Sequence, residues 1–176
     1  MQSDEQLMLE FQKGSAKAFE ELFSRYRNQV YGFFRRRLNH AARAEELAQE
    51  TFFITIRGAE RYEARAKFRT YMFSVAVKQL WSERRKEMRE ARAAAEPFEE
   101  GRESDPAAGL WIKDALSRMD PDHREVLMLR EYEQLSYEDI AEVLAVPINT
   151  VRSRLSRART ELRTLLDEQA VKGVSR

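Results

Sequence analysis

Residues 136–164, opening Ser-Tyr-Glu-Asp-Ile-Ala-Glu-Val-Leu-Ala-Val-Pro-Ile-Asn-Thr-Val-Arg, most narrow what this chain can fold into. They spell a short helix, a tight turn and a second helix rich in arginine. Ser136 suits the cap of the first helix, and Asp139, three residues on, completes a capping box. Ile140, Ala141 and Leu144 recur at helical spacing and face inward. Ala145-Val146 makes the turn. Pro147 fits the first position of the next helix, where its missing N–H costs nothing. Val151, Leu155, Ala158 and Leu162 form that helix's buried stripe, while Arg152, Arg154, Arg157, Arg159 and Arg163 point elsewhere. Against those five arginines, residues 147–164 hold one acid, Glu161. A compact helix-turn-helix with such a second helix fits the DNA major groove, where arginine pairs with guanine edges or phosphate.

The rest of the composition narrows the function. The net charge is only +1, so what matters is where charge lies, not its sum. With no cysteine, disulfides, thiolate metal sites and cysteine nucleophiles are excluded. The two histidines, His40 and His123, lie far apart in sequence without acids at ligand spacing, so no metal site is expected. No apolar run approaches the ~20 residues needed to span a bilayer. The N-terminus lacks the basic start and apolar stretch of a signal peptide, so a cytoplasmic protein without membrane insertion is the expectation.

Helical periods dominate, and the expected fold class is all-α. Ser3 with Gln6 opens a first helix that runs to Lys13, and Gly14-Ser15 breaks it. Phe19, Leu22, Phe23, Tyr26, Val30, Phe33, Phe34 and Leu38 mark a long amphipathic second helix. A third spans 43–57, with Leu47, Phe52, Phe53 and Ile56 apolar, and Gly58 ends it. A polar loop leads to a fourth from Lys67 into Arg84-Arg85-Lys86. Residues 87–109 carry seven acids and three bases and almost no large apolar side chain, which reads as a flexible acidic linker. Helical pattern resumes at Leu110-Trp111 and runs to Arg118. Asp120-Pro121 then starts another helix that continues through Tyr132. The expected organisation is two small helical domains, 1–88 and 110–170, with a linker over 89–109 and a tail over 171–176.

Four segments in order carry a resemblance: Ala18-Phe19-Glu20-Glu21-Leu22-Phe23, Ala44-Glu45-Glu46-Leu47-Ala48-Gln49-Glu50-Thr51-Phe52, Phe68–Lys78 and the Thr150–Arg159 helix. Together they resemble bacterial extracytoplasmic-function (ECF) RNA polymerase sigma factors over nearly the whole chain outside the linker. The resemblance implies a region 2 bundle that binds the polymerase clamp and the minus-ten element, then a region 4 helix-turn-helix that binds the minus-35 element. It implies a non-catalytic specificity subunit that directs promoter recognition and melting. Its partners would be core RNA polymerase, through the clamp of the largest subunit and the flap, and promoter DNA, with no cofactor, catalytic residue or metal. Many members are held by an anti-sigma protein, and no residue here identifies one.

The residues themselves agree. Glu45, Glu46, Gln49 and Glu50 fall on neighbouring turns of one helix, a face suited to a basic protein surface and repelled by phosphate. The resemblance assigns it to the clamp. Arg43 stands where many members carry an acid. The stretch from Arg57 to Lys86 is basic with aromatics interleaved, a combination that suits single-stranded DNA. The resemblance gives loop 60–67 a flipped minus-ten base, whose capture offsets an unstacking cost of about a few kcal/mol. The expected minus-ten contacts are Tyr62, Arg65, Lys67, Lys78, Trp81 and Arg85. Phe68, Met72, Val75, Ala76 and Leu80 read as core, and Trp81 fits either role. Lys78 and Ser82 stand where members often carry Asn and Asp. In the second domain the resemblance puts base-edge contacts at Arg152, Ser153, Ser156 and Arg157, with Thr150, Arg154 and Arg159 at phosphate. Ala145 and Asn149 replace glycines common at those turn positions.

A stand-alone helix-turn-helix regulator would explain residues 110–164, but neither the acidic helix nor the aromatic–basic stretch. An enzyme finds no support: there is no glycine-rich phosphate loop and no nucleophile paired with a base.

Overall fold

A computed structural model describes residues 2–94 and 109–174, and among these every regular element is helical. The chain divides into two compact units on either side of Gly101 and Arg102. The first holds α1 (Asp4–Gln12), α2 (Ala16–Arg35), α3 (Ala41–Arg57), a 3-10 turn (Ala59–Arg61) and α4 (Phe68–Ala94). The second holds α5 (Leu110–Arg118), α6 (Pro121–Glu131), α7 (Tyr137–Leu144) and α8 (Ile148–Val174). No described helix is long and apolar enough to cross a membrane.

The caps read from sequence fix the helix starts. Ser3 and Gln6 exchange side-chain and backbone hydrogen bonds across the first turn of α1. Gly14 then takes φ +97°, a left-handed turn that a side chain resists, and Ser15 caps α2 through the Ala18 N–H. In the first unit the core is aromatic. Phe33 and Phe34 of α2 meet at 5.1 Å, and Phe33 packs at 5.8 Å on Phe73 of α4. Leu22, Val30, Met72 and Leu80 are also fully buried in this unit. Burying each such side chain contributes roughly 1.5–3 kcal/mol, which holds α2 and α4 as a rigid frame. Of the residues expected in the core of α4, Val75 is only half-buried.

In the second unit Asp120 caps α6 by accepting from the Asp122 and His123 N–H groups. His123 Nδ1 lies 2.7 Å from Glu161 Oε2, and the Asp120 N–H donates to Glu161 Oε1, tying the start of α6 to α8. Ser136 and Asp139 form the expected capping box of α7. Ile140 and Leu144 are buried, and Val143 joins them while Ala141 is half-buried. Val151, Leu155 and Ala158 form the buried stripe of α8, with Leu162 half-buried against Leu116, Met119 and Leu127.

Several expectations need correction. Helix α4 runs on to Ala94, so residues 89–94 are helix and not linker; the remainder of that segment, 95–108, lies outside the described residues. Helix α8 continues to Val174, past the expected tail boundary at 171. Pro147 stands one position before α8, its carbonyl accepting from the Thr150 and Val151 N–H groups. Nothing in the expected apolar pattern of α3 is overturned, though its Phe53 and Ile56 are 57% and 37% exposed.

Candidate nucleic-acid and protein interfaces

Helix α8 presents its polar side as two kinds of arginine. Arg152, Ser153, Ser156 and Arg157 are exposed and occupy neighbouring turns, so they form one patch. Arg152 is steadied by a 2.9 Å hydrogen bond from Nη1 to Asn149 Oδ1. Arg154 and Arg159 instead lean on acids of α6. Arg154 pairs with Asp122, and Arg159 Nη2 lies 3.4 Å from Glu131. A hydrogen bond to Tyr137, then the one to Glu131, raises the Arg159 guanidinium above its ordinary value. Thr150 is half-buried, and its carbonyl accepts from the Ser153 hydroxyl at 3.0 Å. The turn before this helix puts Ala145 at φ 53°, ψ 45°, the left-handed conformation that makes glycine common there.

Glu45, Glu46, Gln49 and Glu50 are all exposed along α3. Arg43 sits beside them, with Nη1 2.7 Å from Glu46 Oε2 and 3.9 Å from Glu50 Oε1. Its other nitrogens reach α4, so it links this acidic face to the next helix. Next to the face runs a groove lined by Phe23, Arg27 and Tyr31 of α2 and by Glu45, Gln49 and Phe52 of α3. Phe23 and Tyr31 stay 40% and 38% exposed, with the Phe23 ring 4.8 Å from Phe52. Sequence reasoning missed this edge because Phe23 falls within the apolar period of α2. Tyr31, next to Val30 but on another face, was the available signal.

The third group lies on α4 and the loop before it. Lys78, Trp81 and Arg85 follow one another at three- and four-residue steps along one side of α4; Lys78 and Arg85 are exposed and Trp81 is half-buried. Arg65 and Lys67 are exposed in the loop. Tyr62 is different. It is 5% exposed, its ring packs on Phe68 and Tyr71, and its hydroxyl donates to the Ala66 carbonyl at 2.6 Å. Burial, with Glu5 and Asp4 nearby, pushes that hydroxyl up to about 12. Tyr62 therefore packs beneath the loop, with its ring against Phe68 and Tyr71. A Cβ at Gly58, at the head of this loop, would lie 2.4 Å from the Tyr71 hydroxyl, so a side chain there would displace the end of the Tyr71 ring.

Comparison with known proteins covers both units. The family model described as Sigma-70 region 2 matches residues 22–90, and that of Sigma-70 region 4 matches 109–162. The RNA polymerase sigma factor CarQ of Myxococcus xanthus is 33% identical over 171 residues, spanning 92% of this chain and 96% of that protein. An ECF RNA polymerase sigma-E factor of Haemophilus influenzae is 33% identical over 174 residues, spanning 89% and 92%. Among solved structures, the sigma factor RpoE of Bartonella quintana, in complex with the anti-sigma factor NepR, matches with TM-score 0.77 and 27% identity over 86% of this chain and 98% of that one. CnrH, in complex with the cytosolic domain of CnrY, shares the fold with TM-score 0.75 at 21% identity, over 95% and 99%. A stand-alone regulator leaves the region 2 match unexplained. Two sigma regions in order, and relatives one-third identical along almost their full length, make this chain a member of the ECF sigma factors, the subunits that direct RNA polymerase to promoters.

Proposed function

We propose that three separate surfaces divide the work of promoter choice. Glu45, Glu46, Gln49 and Glu50 grip the polymerase clamp, and region 4 meets the flap. Arg152, Ser153, Ser156 and Arg157 read base edges of the minus-35 element in the major groove. Thr150, Arg154 and Arg159 answer to phosphate, Arg154 and Arg159 exchanging part of their contact with Asp122 and Glu131 for DNA. Arg65, Lys67, Lys78, Trp81 and Arg85 take the minus-ten strand once it opens, with Tyr62 shaping their loop from within. The region 2 domain ends with α4 near Ala94, and the region 4 domain begins at Leu110.

The observation that carries this reading is the sorting of charge. The exposed face of α3 is acidic, whereas the patch on α8 is cationic, so one suits a basic protein surface and the other suits DNA. Nucleotide addition stays with the polymerase; this chain supplies position and selectivity, and it works in the cytoplasm. An anti-sigma protein of the kind seen with the Bartonella factor would compete for the same surfaces. Run-off transcription from genomic fragments tests the proposal. Core polymerase plus this chain should start transcripts at a new and restricted set of sites. Identical transcripts with and without the chain would reject it.

A further inference from the structure

The loop between α3 and α4 is fastened at both ends by one face of α1. Gln12 spends both amide hydrogens on it: Nε2 donates to the Ala59 carbonyl at 2.7 Å and to the Tyr62 carbonyl at 2.8 Å. These partners lie 47 and 50 residues further along the chain. At the far end, the carboxylate of Glu5 accepts from the Phe68 N–H at 3.1 Å. Phe68 is the first residue of α4, so Glu5 satisfies an otherwise orphaned donor and sets a negative charge at a helix start. Glu5 and Gln12 are seven residues apart on α1, two turns along the same face.

The helix that carries them is itself fixed. Leu7 and Met8 are buried. Asp4 accepts from Arg25 Nη1 at 2.6 Å and from the Tyr26 hydroxyl, both on α2. Within the loop, the Tyr62 hydroxyl and the Glu63 carbonyl close on Ala66, leaving Arg65 and Lys67 exposed at the rim. The two ends of the loop are thus held by partners from a different part of the chain.

We infer that α1 is a splint for the loop, and that Gln12 and Glu5 are positioning residues for minus-ten recognition. The inference rests on the proposed minus-ten role of that loop. A pocket for an extruded base holds it by geometry, and small displacements of positioning groups are costly. Gln12 suits the task because an amide supplies two donors to two carbonyls. A carboxylate there would set charge against both carbonyl oxygens. Arginine, with several donors, could replace it.

The test uses holoenzyme assembled from core RNA polymerase and the full chain. Its template is a promoter recovered by run-off transcription and carrying 2-aminopurine at the upstream minus-ten position. Gln12→Ala should reduce the open-complex signal by about tenfold, with Gln12→Glu at least as defective, and Gln12→Arg should recover most of it. Core affinity and binding of a minus-35 duplex should stay within about twofold, because neither surface includes the loop. Arg65→Ala with Lys67→Ala tests the loop's own role. If that pair lowers opening and Gln12→Ala does not, the splint is refuted and the minus-ten reading survives. If neither lowers opening, the minus-ten reading of the loop is what fails, and the splint falls with it. Loss of core affinity in step with opening, without recovery in Gln12→Arg, would mark a folding defect and also refute positioning.

Discussion

Arg43 of α3 holds Glu83 of α4 in a two-pronged ion pair, with Nε to Oε1 and Nη2 to Oε2 each at 2.7 Å. The same guanidinium reaches Glu46 through Nη1. One residue thus links the acidic face of α3 to the helix that carries Lys78, Trp81 and Arg85. Arg43 is therefore matched by a carboxylate on the neighbouring helix.

Arg43→Ala should destabilise the first unit by about 1–3 kcal/mol, because it strands a largely buried Glu83. Arg43→Lys should recover only part of that, since an ammonium cannot form both prongs. Urea denaturation of the variants measures it. The hydrogen bonds from Arg43, then its charge, hold the Glu83 carboxyl below its ordinary 4.5. A carboxyl depressed on folding contributes stability above its unfolded value and loses it as pH falls through the folded one. The urea midpoint should therefore drop below about pH 4.5 more steeply in the parent chain than in Glu83→Gln.

Replacing Arg152 and Arg157 should have a different signature from replacing Arg154 and Arg159. Each alanine in the first pair should cost ~1–3 kcal/mol on the cognate minus-35 duplex and relax base preference. In the second pair, each should weaken all sequences alike and lower the salt slope by roughly one. Duplex titrations at several salt concentrations, with cognate and scrambled sequence, separate the two.

Ala145→Gly should stabilise the second unit by about 0.5–1 kcal/mol. The left-handed backbone costs a non-glycine residue roughly 1–2 kcal/mol, and glycine's greater freedom when unfolded returns part of it. A rise in the thermal midpoint with unchanged DNA affinity is the expected result.

Much of the fold was legible because the punctuation is strong. Ser3 with Gln6, Gly14-Ser15, Gly58, Asp120-Pro121 and Ser136 with Asp139 each mark a boundary through local chemistry. The ends of α4 and α8 were not legible for a physical reason. Residues 87–94, Glu-Met-Arg-Glu-Ala-Arg-Ala-Ala, lack large core side chains, which reads as linker. Yet they are strong helix formers on a helix already nucleated upstream, with Lys86 and Glu90 paired four residues apart. The packing of the Tyr62 ring on Phe68 and Tyr71 was not legible either, because no local pattern displays those contacts. The acidic face and the exposed arginines needed only helical spacing. Gln12 gave no signal at all, because its partners lie some fifty residues away.

The role of the acidic face of α3 as the grip on polymerase is tested most directly by equilibrium binding of labelled core enzyme to the parent chain and to Glu50→Lys. The parent should bind tightly and the variant at least about tenfold more weakly, with the thermal midpoint and minus-35 affinity preserved. Equal core affinity in the two proteins would contradict it.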